Sequence, residues 1–220
     1  MPRLRLYGDR DPRDIPAYPL VEAARYAAVP VATLRRWIAE RPVIELPEDS
    51  VGQLSFYNLV EAFVLGGLRH RHNIPLQQLR RDVHELRRLH PHVPHPLADL
   101  DLSTLGRNVF VDTADYLTNV SRGGQLGIID VLRPFLDRVE RSRRGVVRLF
   151  PITRRDPSKS PRTISIDPRV AFGRPVIAGS GIPTAVLRER WKAGDSVAAL
   201  AEDYDRTPDE IEEALRCEAA

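Results

Sequence analysis

The sequence predicts a mainly α protein with small β elements, and three observations carry that expectation. Apolar residues recur at spacings of three and four through much of the chain, two short helical runs stand close together near the start, and the last 40 residues hold three separate sets of helix start signals. With 220 residues the chain can bury a core without disulfides or metal, and two structural units are expected. A composition of 42% hydrophobic and 29% charged residues is that of a folded globular chain.

Residues 1–17 contain three prolines and no apolar periodicity, and are read as an arm. Leu20–Tyr26 is helix-compatible, residues 27–29 make a short connection, and Pro30, tolerated in a first turn, opens a second helix. There Leu34, Trp37 and Ile38 share one apolar face, which turns Val31, Ala32, Thr33, Arg35 and Arg36 outward or sideways. A helix that is small at its start and basic in its middle suits a DNA major groove, where arginine reaches guanine edges or phosphates. Arg41-Pro42 ends the helix, and residues 43–56, interrupted by Pro47 and Gly52, predict a two-stranded wing. Asn58 is expected to cap a helix that runs to about His72. Pro75 opens the next, whose Leu76, Leu79, Val83 and Leu86 form a seam narrow enough to predict a homodimer.

Three prolines in 90–96 make that stretch extended, so His90, His92 and His95 are read as surface-loop residues and not as metal ligands. A short strand is expected at 109–111, a turn at 122–125, an apolar helix over 126–139 broken at Pro134, and a strand at 146–152. A polar linker follows at 153–161. Between 133 and 162 ten basic residues face three acidic ones, read as a solvated charge run, with phosphate contact by Arg141, Arg143 and Arg144 as the alternative. Residues 163–166 suggest a strand. Thr184 and Ser196 are expected as helix caps, and Thr207-Pro208-Asp209-Glu210 is a capping box. The units are therefore an arm at 1–17, a winged domain with a helical and strand extension at 18–155, and a C-terminal domain at 156–220.

The segment Leu20-Val-Glu-Ala-Ala-Arg-Tyr-Ala-Ala-Val-Pro-Val-Ala-Thr-Leu-Arg-Arg-Trp37, followed by Phe56-Tyr57-Asn58-Leu59-Val60-Glu61, resembles the winged helix-turn-helix of MerR-type regulators over about the first 90 residues. The resemblance implies DNA contacts from Thr33, Arg35 and Arg36 on a recognition helix, with Arg25 near the backbone. No cysteine or ligand-binding segment follows the seam helix, which disfavours metal or drug sensing. Residues 163 to about 215 resemble the DUF433 family through Ile166-Asp167-Pro168, Gly173-Arg174-Pro175-Val176-Ile177-Ala178-Gly179, Ile182-Pro183 and Gly194-Asp195-Ser196 leading to Leu200-Ala201 and Tyr204. Ser180-Gly181 departs from the Thr-Arg that many members carry. This resemblance implies a small three-helix domain and a VapB-type antitoxin, whose partner is a toxin with a PIN-like ribonuclease fold.

Charge separates the C-terminal tail from the rest of the chain. Residues 181–220 hold five Lys/Arg against ten Asp/Glu, although the whole chain is +3. Only Lys159 and Lys192 are lysines. The last helix carries Asp209, Glu210, Glu212 and Glu213 and would meet phosphates with like charge, so DNA readout is assigned to the first helix pair alone. The four acids are expected either to face a basic toxin or merely to favour their helix N-terminus. The single Cys217 excludes an internal disulfide and a cysteine-rich zinc site. The start lacks the apolar core of a secretory signal, and the run 62–68 is too short to cross a bilayer, so a cytoplasmic protein without a membrane partner is expected. Gly179-Ser180-Gly181 is neither a nucleophile elbow nor a phosphate loop, so neither enzyme activity nor a cofactor is expected. The expected function is that of a type II antitoxin that neutralises a PIN-like ribonuclease toxin and binds operator DNA to autoregulate transcription. The alternatives are a MerR-like regulator without a toxin and a protein-binding scaffold with a degenerate helix-turn-helix.

Overall fold

In the computed structural model, residues 9–39, 41–72, 75–100 and 133–219 are described. The strand expected at 109–111, the turn at 122–125 and most of the helix expected over 126–139 lie outside them. The described part is mainly α with three two-stranded antiparallel sheets.

Strand β1 (Tyr18–Pro19) leads into α1 (Leu20–Tyr26), and a turn at 27–30 delivers α2 (Val31–Ile38). The turn is closed by Val29 N donating to Ala24 O at 2.9 Å, with Ala28 in the left-handed region at φ 54°. Pro30 stands at the cap position instead of inside α2, in extended backbone, and its carbonyl accepts from Leu34 N at 3.0 Å. Leu34 and Trp37 are fully buried, as their spacing predicts.

The wing expected at 43–56 is not a hairpin of its own. Val43 and Ile44 fold back under α2, where both backbone N–H groups donate to Trp37 O, at 2.8 and 3.2 Å, and satisfy a carbonyl at the helix end. Only β2 (Gln53–Leu54) is a strand, and it pairs with β1 in the register Tyr18↔Leu54. Helix α3 (Phe56–His72) starts from Ser55, not from Asn58. The Asn58 N–H donates to Ser55 Oγ at 3.3 Å while Ser55 N donates to Asn58 Oδ1 at 3.2 Å, the reciprocal pattern of a capping box. Leu59, Val60, Phe63, Val64, Leu65 and Leu68 make α3 the central core helix. Gly67 lets it come close to Phe135, since a Cβ there would lie 2.5 Å from the ring.

In α4 (Leu76–Leu89) the seam residues Leu79, Val83 and Leu86 are buried within the single chain. The seam that predicted a homodimer is therefore already covered by the chain's own residues. After α5 (Pro96–Asp99) and a helical turn at 133–136 carrying Pro134, Val139 opens β3 (Val139–Ser142) instead of extending a helical face. A hairpin turn returns β4 (Gly145–Leu149), which is in turn bridged to Ile166.

The segment expected as a polar linker is wrapped around one buried arginine. Arg138 donates to the carbonyls of Pro151 (3.3 Å), Pro157 (3.1 Å), Pro161 (3.4 Å) and Ser160. Burial, with Arg162 nearby, pulls its pKa below the usual arginine value, while Glu213 opposes. Strands β5 (Ile164–Ser165) and β6 (Val176–Ile177) pair, and α6 (Thr184–Lys192), α7 (Val197–Asp203) and α8 (Pro208–Ala219) follow. Ser196 Oγ accepts from Ala199 N at 3.1 Å, and Thr207 and Glu210 form the expected capping box. Thr184 does not cap α6. It is the first helical residue, fully buried, and its hydroxyl donates to Glu218 at 2.6 Å. The buried apolar residues form one cluster from Tyr18 to Cys217, so the two expected units share a core.

Candidate nucleic-acid interface and the junction behind it

On α2 the buried face fixes the helix and the opposite face is left to solvent. Arg35 and Arg36 are exposed and Thr33 is half-buried. The backing is firm: Arg80 Nε donates to Arg41 O at 3.1 Å and Arg87 to Val43 O at 3.0 Å, so two α4 arginines brace the chain that leaves α2. The loop that would serve as a wing tip is acidic. It presents Glu48, Asp49 and a Val51 that is 97% exposed, and Arg10 pairs with Asp49 at 2.7 Å.

Arg25, expected near a DNA backbone, points into the protein. Its guanidinium donates to Glu218 O and to Tyr26 Oη, both at 3.0 Å, and lies 3.2 Å from the Glu218 carboxylate. Its place thus moves from the phosphate-facing surface to the junction between α1 and α8, because a buried carboxylate there requires a partner. Glu218 also accepts from Thr184, and Tyr18 Oη donates to Gly173 O at 3.0 Å across the same junction. Gly173, at φ 78°, allows that approach, as a Cβ would come within 2.5 Å of the tyrosine oxygen. A cleft of about 440 Å³ opens beside these contacts, with Glu22, Arg174 and Phe172 on its walls.

The four acids of α8 have different fates. Glu213 is only 1% exposed; it accepts from Arg154 and from Arg216, each at 2.9 Å, and from the Thr153 hydroxyl. Burial pushes its carboxyl up, but hydrogen bonds from Arg154, Thr153 and Arg216 outweigh that and hold it below the usual glutamate range. This residue therefore leaves the expected partner-facing set. Glu210 closes its own capping box and Glu212 pairs with Arg216 at 2.7 Å. Of the four, Asp209 alone is without a side-chain partner among the described residues.

Sequence reasoning missed the exposed apolar residues of the C-terminal unit: Phe172 (67% exposed), Val186 and Trp191. Phe172 and Ala171 both sit in the left-handed region, at φ 57° and 48°, which is strained for side chains of this kind. Trp191, set among Arg188, Glu189, Arg190 and Lys192, is the signal that could have been read. His95 is also more than a loop residue. It stacks on Tyr57 at 4.4 Å, with Nδ1 3.5 Å from the buried Glu61 carboxylate. Burial works against its charged form, but the hydrogen bond to Glu61 and the charges of Glu61, Asp14 and Asp99 prevail and raise its pKa.

The C-terminal sequence carries a DUF433 domain: residues 164–216 match the family described as "Protein of unknown function (DUF433)". Over 235 aligned residues, 94% of this chain and 95% of the relative, it is 30% identical to "Putative antitoxin VapB45" of Mycobacterium tuberculosis (strain ATCC 25618 / H37Rv). The crystal structure of Rv2018 from Mycobacterium tuberculosis superposes with a TM-score of 0.74 at 31% identity, covering 92% of this chain and 98% of that one. The chain belongs to the DUF433-containing VapB-type antitoxin family.

Proposed function

We propose that this protein is a type II antitoxin that neutralises a partner toxin with a PIN-like ribonuclease fold and binds operator DNA to autoregulate transcription. Family membership supports the antitoxin role, and it also favours a regulatory protein over an enzyme. No helix among the described residues is long and apolar enough to cross a membrane, and the place of work proposed here is the cytoplasm.

One observation carries the DNA reading: α2 is held from behind by Leu34, Trp37 and the folded-back Val43-Ile44, and it presents Thr33, Arg35 and Arg36 without ion pairs among the described residues. A rigidly backed helix with a small, basic outer face is what a major groove admits. Two copies on a palindrome would pair through a face other than the α4 seam. For the toxin, the exposed Phe172, Val186 and Trp191 offer apolar anchors, and Asp209 a negative charge without a side-chain partner among the described residues.

Co-expression tests the first claim. The toxin encoded beside this chain should arrest growth alone and be relieved by the wild-type protein, but poorly by Trp191→Asp with Phe172→Asp. Full relief by that variant would remove the apolar anchors from the proposal, and no relief by the wild type would remove the antitoxin role.

A further inference from the structure

A helix that reads DNA needs positive charge beside it, because phosphate contacts set register and supply most of the affinity. Three of the expected sources do not supply it. The wing-like loop ends in Glu48 and Asp49, Arg25 is tied to Glu218, and Arg141 donates to Ala98 O at 2.8 Å.

The charge beside α2 comes from further along the chain. A groove of about 440 Å³ has Ala28, Val29 and Pro30, the turn that delivers α2, on one wall, and Ile152, Arg154 and Arg155 on the other. Arg154 is engaged with Glu213. Arg155 is exposed, as is Lys159 in the 3₁₀ turn Pro157–Lys159, and neither makes an ion pair among the described residues. The intervening Asp156 is turned to local work: its Oδ1 accepts from Ser158 N at 3.0 Å and from Ser158 Oγ at 2.7 Å. Arg138 fixes the whole turn by holding the carbonyls of Pro157 and Ser160. The two free cations are therefore presented on ordered backbone, at low entropic cost to binding.

Resting on the reading of α2 as the DNA-contacting helix, we propose that the wrapped segment 154–159 is a second DNA contact, in which Arg155 and Lys159 neutralise backbone phosphates that flank the groove entered by α2. It takes the place of a basic wing. It carries no sequence preference.

The test is the salt dependence of binding, by fluorescence anisotropy, of the full-length protein to two duplexes of about three helical turns: the promoter DNA upstream of its own gene and a scrambled duplex of equal length. For Arg155→Ala with Lys159→Ala the slope of log Kobs against log salt should become shallower by about 2, since each lost phosphate contact removes about 0.9. The preference for promoter over scrambled DNA should be unchanged. Both side chains are exposed, so the variant should melt as the wild type does. An unchanged slope with intact promoter binding overturns the second contact and leaves the α2 reading standing. A loss that appears instead in Arg143→Ala with Arg144→Ala, at the tip of the β3–β4 hairpin, also overturns it, by placing the phosphate path elsewhere. Absence of wild-type binding to either duplex at low salt removes the α2 reading, and this inference with it.

Discussion

Helices α2 and α8 both bury one apolar face and both carry a cluster of charge, yet they treat that charge in opposite ways. Arg35 and Arg36 on α2 stay in solvent, while α8 engages Glu210, Glu212 and Glu213 with its own chain. The count of charges along a sequence is thus a poor guide to surface charge. A carboxylate four residues from an arginine, or one facing a buried hydroxyl, is already committed before any partner arrives.

The largest effect should come where the two helices are alike. Trp37→Ala on α2 removes a fully buried ring, at a cost of about 3–5 kcal/mol, and Ile211→Ala on α8 should cost about 2–5 kcal/mol. Because one cluster holds both residues, each variant should lower a single cooperative transition in chemical denaturation. Two separated transitions would break the shared-core picture. For the same reason, deleting residues 163–220 would strip Arg25 of Glu218 and open the core, so point variants separate the two binding functions better than truncation does.

Next comes the charge on α8. Glu213→Ala should destabilise by about 1–3 kcal/mol, the range for a buried charge-assisted hydrogen-bond group, and not by the larger cost of breaking a fully buried pair. The reason is that Arg154 and Arg216 are 45% and 44% exposed in their side chains and can turn to water when the carboxylate goes. Glu212→Ala, which breaks only the exposed pair with Arg216, should cost under about 1 kcal/mol. Equal costs would mean that burial does not distinguish the two acids.

The pH dependence separates the buried Glu213 from the half-buried His95. Glu213 has its folded pKa depressed, so its contribution is complete above the ordinary glutamate value of about 4.3 and is lost as pH falls through the folded value. For His95 the folded pKa is raised, so its contribution is complete below the ordinary histidine value of about 6.5 and is lost as pH rises through the folded value. Thermal melts across pH should show the acid limb flattened in Glu213→Gln and the limb above about 6.5 flattened in His95→Gln. A wild-type limb retained in either variant would assign that titration to another group.

Much of this architecture was legible in the sequence, for identifiable reasons. The α1–α2 pair, the buried face of α2 and the Thr207–Glu210 capping box are local patterns, set by residues within one or two turns of each other, and they appear where the spacing puts them. What escaped is set by partners far along the chain. Tyr18 finds Leu54, Arg25 finds Glu218, Glu213 finds Arg154, and Arg138 gathers carbonyls from 151 to 161. The narrow seam of α4 predicts a homodimer, but periodicity does not say whether the surface that covers it belongs to a second copy or to the same chain, and here the chain buries it itself. Of the expected site, Thr33, Arg35 and Arg36 keep an outward or half-outward place, whereas Arg25 and Glu213 turned inward because buried carboxylates and guanidinium groups seek each other.

The smallest change in stability should accompany the largest change in recognition. Arg35→Ala with Arg36→Ala removes two exposed side chains whose loss touches no buried contact, so the melting transition should shift by no more than about 0.5 kcal/mol. If either arginine reads a base edge, promoter DNA should lose about 1–3 kcal/mol of its advantage over scrambled DNA, measured by competition at fixed salt. The comparison of α2 with α8 stands on this pairing of effects. A folded variant that still prefers promoter DNA would show that exposed charge on α2 is as idle in recognition as the committed charge on α8, and the DNA-reading surface would have to lie elsewhere on the molecule.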